Sequence, residues 1–227
     1  MNQFPLDEFS VTFDYAFSSG LGCYEHSRYV KEVVMGIMLT HYDDDKKTEQ
    51  IGQINFLIIY FDQAVASEYS LYDILDGHSE YLARFIFDIV DFRRGDYSNK
   101  VRNHFEDLMG GNICLIEKVT VNPKYRGYMI GAKAIKDLVF NYSAGCALFV
   151  LQPYPLQFEF EPERYTDLEL DKFEVIKSKA FNRLSNYYKK IGFEKIKGIK
   201  ELLFYNPALT NKKFDAIDLE ENVFGKE

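Results

Sequence analysis

Three consecutive stretches constrain this chain more than anything else in it. Residues 113–121, ICLIEKVTV, are the clearest strand, and Asn122 and Pro123 end it. Ile135, Leu138, Val139 and Tyr142 then recur at helical spacing, which predicts a helix over 130–142. Residues 146–152, CALFVLQ, are a short continuous apolar run, the mark of a strand buried on both faces. Strand, helix and buried strand in close succession make a βαβ-like unit, so the fold class is α/β.

The remaining segments extend that sheet. Residues 9–17, FSVTFDYAF, alternate as a strand does, and 18–31 read as loop or short helix. Residues 32–42 and 50–61 read as a hairpin whose long charged tip is DDDKKTEQ, with Gly36 and Gly52 marking bulges. Leu82, Phe85, Ile86, Ile89 and Val90 form the stripe of an amphipathic helix over 79–92, with Ser79 as its N-cap. RRGDYSNK is a loop leading to a short helix near Val101 to Leu108. A last helix carries Ala180, Leu184, Tyr187 and Ile191 on one face and ends at Gly192, where a left-handed cap is wanted. FEKI and ELLFY read as two final strands, and 208–227 as a polar tail or a surface-packed end. No repeat or low-complexity linker divides the chain, so residues 1–227 read as one domain.

Composition removes several classes of function. The net charge of -8 and the lack of a basic run argue against nucleic acid. Cys23, Cys114 and Cys146 are widely spaced and odd in number, which fits neither a disulfide framework nor a metal pattern and leaves a reducing, cytoplasmic setting as the expectation. His26, His41, His78 and His104 are scattered and suggest no metal site. The start, MNQFPLDEFS, lacks the apolar run of a signal peptide, and the longest apolar stretch, Phe56 to Phe61, is too short for a bilayer, so no membrane association is expected.

The chemistry lies in IEKVTVNPKYRGYMIGAKAI, Ile116 to Ile135. A strand ends, a short loop carries Arg126 and Gly127, and a helix begins at once. Helix starts present unpaired N–H groups and a partial positive charge, which favours phosphate. Gly127 and the small pair Gly131–Ala132 let a ligand approach the backbone, and Arg126 adds a cation. The same glycines also suit plain tight packing of a helix on a strand, and the loop by itself leaves both readings open.

YRGYMIGA resembles the acyl-CoA loop of the GNAT N-acyltransferases, Arg/Gln-x-x-Gly-x-Gly/Ala, and YYKKIGFEKI resembles that family's closing Tyr-x-Lys-x-Gly-Phe. The two motifs come in the family's order with a buried strand between them. The resemblance spans 112–206 and implies a mixed, mostly antiparallel sheet flanked by helices and splayed between the strands at 113–121 and 146–152. It further implies acetyl-CoA or another acyl-CoA as cosubstrate, an amine acceptor (small molecule or peptide), and direct transfer in a ternary complex. Residues 70–92 and 153–175 are additions to the family pattern. Met129 replaces the first glycine of the loop, so its side chain must turn away from the pyrophosphate. Phe181, beside Asn182, stands where many members carry Asn. These two departures suit the alternative, a GNAT-like protein that binds acyl-CoA or a partner protein without catalysis.

Residue by residue, the resemblance implies Glu117 as the base that takes the amine's proton through water, and Tyr188 as the acid that protonates the leaving thiolate. A salt-bridged or solvent-facing glutamate and a core tyrosine are the plainer readings. By simple alternation Glu117 shares a face with Val119 and Val121. The backbone of Val119, Thr120 and Val121 would bond the pantetheine arm, and Arg126, Gly127, Tyr128, Met129, Ile130, Gly131 and Ala132 would hold the pyrophosphate. Tyr187 is the expected core neighbour of Tyr188, and Cys146 the expected inert core thiol. The insertion holds Glu159, Glu161, Glu163, Asp167, Glu169, Asp171 and Glu174 against Arg164 and Lys172. It is expected to dock through Phe158 and Phe160 and to border the acceptor with a negative rim, or to be no more than a solvated cover.

Overall fold

The computed structural model describes residues 9–19, 28–67, 69–106, 108, 111–159 and 167–219. Six strands form one sheet: β1 (Phe9–Ala16), β2 (Val30–His41), β3 (Asp44–Ile59), β6 (Asn112–Val121), β7 (Cys146–Leu151) and β8 (Leu203–Tyr205), side by side in that order. Every neighbouring pair is antiparallel except β6 and β7. Between β3 and β6 the chain makes α1 (Phe61–Ala66), α2 (Leu71–His78), α3 (Glu80–Ile86), a small ribbon of β4 (Val90–Asp91) and β5 (Asp96–Tyr97), and α4 (Asn99–His104). Helix α5 (Ile130–Tyr142) joins β6 to β7, α6 (Lys177–Lys190) precedes β8, and α7 (Lys212–Asp215) follows it. This is the mixed, mostly antiparallel, helix-flanked sheet that the resemblance implies.

Each face of the sheet carries its own core. Cys114, Ile116, Phe149 and Leu151 face α5 and α6, together with Tyr188. Ile113, Leu115, Leu148 and Val150 face the helices inserted before β6. Every residue of β7 is buried, as its unbroken apolar run requires. The end of the chain is anchored: Phe214 and Ile217 are buried, and Asn211 caps α7 through the N–H groups of Lys213 and Phe214.

Several boundaries differ from the sequence reading. The DDDKKTEQ tip is not a long turn, because β3 already begins at Asp44 and Thr48 pairs with Thr40. The bulge near Gly52 is real: the register slips between Ile37 and Met38, leaving Ile51 unpaired, whereas Gly36 pairs regularly with Gln53. A further helix, α2, precedes Ser79, which accepts from the N–H of Leu82 as the expected N-cap of α3. Helix α3 stops at Ile86 because Val90 is used in the β4–β5 ribbon, opposite Tyr97. FEKI is no strand. Glu194 makes one isolated bridge with Phe204, and the chain turns again at Gly198, whose φ is +88°.

Candidate active site

The strand pair β6–β7 separates partway along. Asn112 to Ile116 pair with Cys146 to Leu151, and the pairing ends there while β6 runs on to Val121. The part of β6 from Glu117 onward is therefore bonded only to β3. A cleft of about 480 Å³ opens on its other side, between the mouth of α5 and the cleft face of α6. Glu117, Val119 to Val121, Arg126, Gly127, Met129 to Gly131 and Tyr188 all line it. Tyr128 and Ala132 do not, since both are buried in the core beneath the loop.

Glu117 marks where the strand changes phase. Ile116 pairs with Phe56 and Lys118 with Asn55, so Glu117 is the extra residue of a bulge. Cys114 and Ile116 consequently share a face with Val119 and Val121, a set that simple alternation would split. Glu117 does not join them. It continues beyond Ile113 and Leu115 toward the side of α2, where His78 Nε2 lies 3.3 Å from Glu32 Oε1. Crowding by protein pushes the Glu117 carboxyl above its usual range; the charge of His78 opposes this and that of Glu32 adds to it. The carboxylate is nonetheless reachable by solvent at the lip of the cleft.

The backbone of the open half has a fixed orientation. A Cβ on Gly52 would lie 2.4 Å from the carbonyl oxygen of Thr120, so that carbonyl points at β3. By alternation the main-chain groups of Val119 and Val121 point the other way, into the cleft. The Val121 carbonyl there accepts from Arg126 Nε at 2.9 Å.

The loop enters α5 through two left-handed residues. Gly127 has φ +85°, and Met129, the N-cap, has φ +59° and ψ +6°. Met129 thus holds a left-handed backbone shape that suits glycine better, at a cost of about 1 kcal/mol. No side chain caps this helix, so its first N–H groups point at the cleft. Gly131 is pinned from above: a Cβ there would come within 3.2 Å of the Tyr187 hydroxyl.

Tyr188 is held by the residues of its own motif. Gly192 adopts φ +110°, the N–H of Phe193 donates to the Tyr188 carbonyl at 3.0 Å, and the Phe193 ring meets Tyr188 edge to face. Burial raises its phenol pKa, and Tyr187 adds to the effect, so the hydroxyl keeps its proton. The expected division between the two tyrosines is reversed. Tyr188 is the more buried and belongs to the core, while Tyr187 is half-buried and also lines the cleft. Cys146 is buried, with its thiol pushed up to about 12 by that burial, as befits an inert residue. Cys23 and His26 lie outside the described residues, and His41, His78 and His104 occupy separate elements.

The insertion forms the outer wall of the cleft. Arg126 Nη2 donates to the Leu168 carbonyl at 2.9 Å and the guanidinium lies over Phe173, so the wall leans on the α5 mouth. Burial lowers the pKa of Arg126, with Glu169 opposing. The wall presents Tyr154, Leu156, Leu168, Leu170 and Phe173 to the cleft, and its described acids are largely engaged. Glu159 pairs with Lys118 at 3.1 Å, Glu169 pairs with Lys172, and Glu174 accepts from the N–H of Ile176. Phe158 is half-buried; Phe160, Glu161, Glu163 and Arg164 lie outside the described residues. Arg183, which lines the cleft, and the His78–Glu32 pair, whose charges bear on Glu117, are charges that sequence reading missed. His78 and Glu32 belong to elements distant in sequence from Glu117, and Arg183 carries no motif.

Among the described residues, no helix is long and apolar enough to cross a membrane, and no three metal-ligating side chains gather. No protein-family model matches the sequence, and no curated protein does. Among solved structures, the chain is similar to the crystal structure of a mosquito arylalkylamine N-acetyltransferase-like protein 5b. The identity is 11% over 77% of this chain and 74% of that one, with a TM-score of 0.34, too loose a likeness to bear on function.

Proposed function

We propose that the chain is an acyl-CoA-dependent N-acyltransferase that moves an acyl group, acetyl in the simplest case, onto a primary amine. One observation carries the reading: the half of β6 that β7 abandons lies beside an uncapped helix mouth, with Glu117 and Tyr188 bordering the same cleft. In this reading the N–H groups at the start of α5 receive the pyrophosphate. The backbone of Val119 and Val121 bonds the pantetheine arm as an added strand would.

The acceptor comes from the side of α2, past Glu32 and His78, and Glu117 takes its proton through water. A carboxyl whose pKa lies above the usual range is a better base for an ammonium than an ordinary one. The amine nitrogen bonds to the thioester carbon, the carbon–sulfur bond breaks, the protonated Tyr188 gives its proton to the thiolate, and the second proton shed by the nitrogen passes through water to restore the Tyr188 hydroxyl. In this reading the insertion, fastened to Arg126 at the α5 mouth and through Glu159 to Lys118, covers the bound donor.

Calorimetry with acetyl-CoA and CoA tests binding, and thiol release with a panel of amines tests turnover. Binding with turnover is the expected result. Absence of binding at millimolar ligand ends the reading. Binding without turnover for any amine leaves a non-catalytic acyl-CoA protein, the reading that Met129 and Phe181 suit.

A further inference from the structure

We infer that Arg183 on α6, and not Arg126, supplies the side-chain cation that meets the phosphates of the donor. The inference rests on the acyl-CoA reading above and adds a residue to that site.

Among the described residues three cations line the cleft, Lys118, Arg126 and Arg183. Lys118 is paired with Glu159. Arg126 directs Nε to the Val121 carbonyl and Nη2 to the Leu168 carbonyl, with its planar face over Phe173. Pulling it toward a phosphate would strip two carbonyls of a charged donor and loosen the wall at Leu168. Arg183 is exposed and has no hydrogen bond or ion pair among the described residues.

Its position suits the task. Arg183 precedes Tyr187 by one helical turn, so both side chains lie along the same stripe of α6. Tyr187 already touches the first turn of α5 through its hydroxyl, beside Gly131. Arg183 therefore stands one turn outward along the cleft, facing the same helix mouth. A phosphate there is held from one side by the N–H groups of α5 and from the other by a guanidinium, whose planar fork matches phosphate oxygens. Arg126 keeps a different job: it fastens the wall that covers the arm.

The experiment titrates the full chain with CoA, with dephospho-CoA, which lacks the ribose phosphate, and with pantetheine, which lacks all phosphates. Arg183→Gln removes an exposed charge and leaves the core intact. It should weaken CoA binding about tenfold at low salt, the loss shrinking as salt rises, with pantetheine unaffected. Loss with both CoA and dephospho-CoA assigns the contact to the pyrophosphate, and loss with CoA alone to the ribose phosphate; either supports the inference. Arg126→Ala should weaken CoA and pantetheine in proportion, with the salt dependence unchanged. If wild type binds CoA and Arg183→Gln matches it in affinity and salt dependence, the inference is overturned and the acyl-CoA reading survives. If wild type binds none of the three probes, the acyl-CoA reading itself falls.

Discussion

The two halves of β6 are one strand with two fates. From Ile113 to Ile116 it is paired on both sides and buried on both faces. From Glu117 to Val121 it is paired on one side only, and of its residues Thr120 alone is buried. The first half stabilises the fold, and the second gives up pairing and leaves main chain and a carboxylate at the cleft. The transition is one residue wide, and that residue is Glu117. A bulge at the divergence is what allows a single strand to serve both ends.

The largest effect should come from the paired half. Ile116→Ala empties a site that is 2% exposed and should cost about 3 kcal/mol, against about 1 kcal/mol for the half-buried Val119→Ala. Urea denaturation of the two variants measures this, and equal losses would erase the distinction between the halves. Tyr188→Phe keeps the packing and removes the proton donor. It should lower kcat by about a hundredfold with the unfolding midpoint nearly unchanged. Undiminished turnover would return Tyr188 to a purely structural place.

Glu117→Gln separates base from ballast through pH. The folded pKa of Glu117 is raised, chiefly by burial, so ionising it costs stability. Below the ordinary carboxylate range wild type and variant should be equally stable. As pH rises through the raised pKa, wild type should lose stability relative to the variant, while its kcat/KM gains a step there that the variant lacks. Thermal melts and rates over pH 4 to 9 are the measurement, and a variant less stable at neutral pH would contradict the assigned environment. The smallest effect is expected at the loop. Met129→Gly relieves a left-handed methionine but loses a partly buried side chain and adds unfolded-state freedom, so the net change should stay within about 0.5 kcal/mol. A larger loss would mean that the methionine side chain anchors α5.

What could be read from the sequence follows from how far the relevant partner lies along the chain. Strand, loop, helix and strand from Asn112 to Leu151 were legible because each depends on its own periodicity. The closing motif was legible because Gly192, Phe193 and Tyr188 act within a single turn. The bulge at Glu117 was not, because it exists only against Asn55 and Phe56. The position of the insertion was equally hidden, since it hangs on bonds from Arg126 to the main chain at Leu168 and from Lys118 to Glu159. The helix expected to reach Val90 shows the limit of periodicity: its spacing continued while a two-residue ribbon claimed its last members. Tyr187 and Tyr188 occupy adjacent helical positions, and only the neighbours across the cleft decide which one is buried.

The bond network of Arg126 also turns the split in the sheet from a notch into a window. At one end the gap is closed by the pair Ile116–Leu151, and at the other by a guanidinium joined to Val121 and Leu168. A slender arm can lie through such an opening, but a ligand bulky at both ends must thread it end-on or wait for the latch at Leu168 to release. Occupancy is then governed by a gate as well as by contact energy. With Arg126 replaced by alanine, stopped-flow release of CoA should accelerate more than the loss of affinity alone would require, because entry is eased as well.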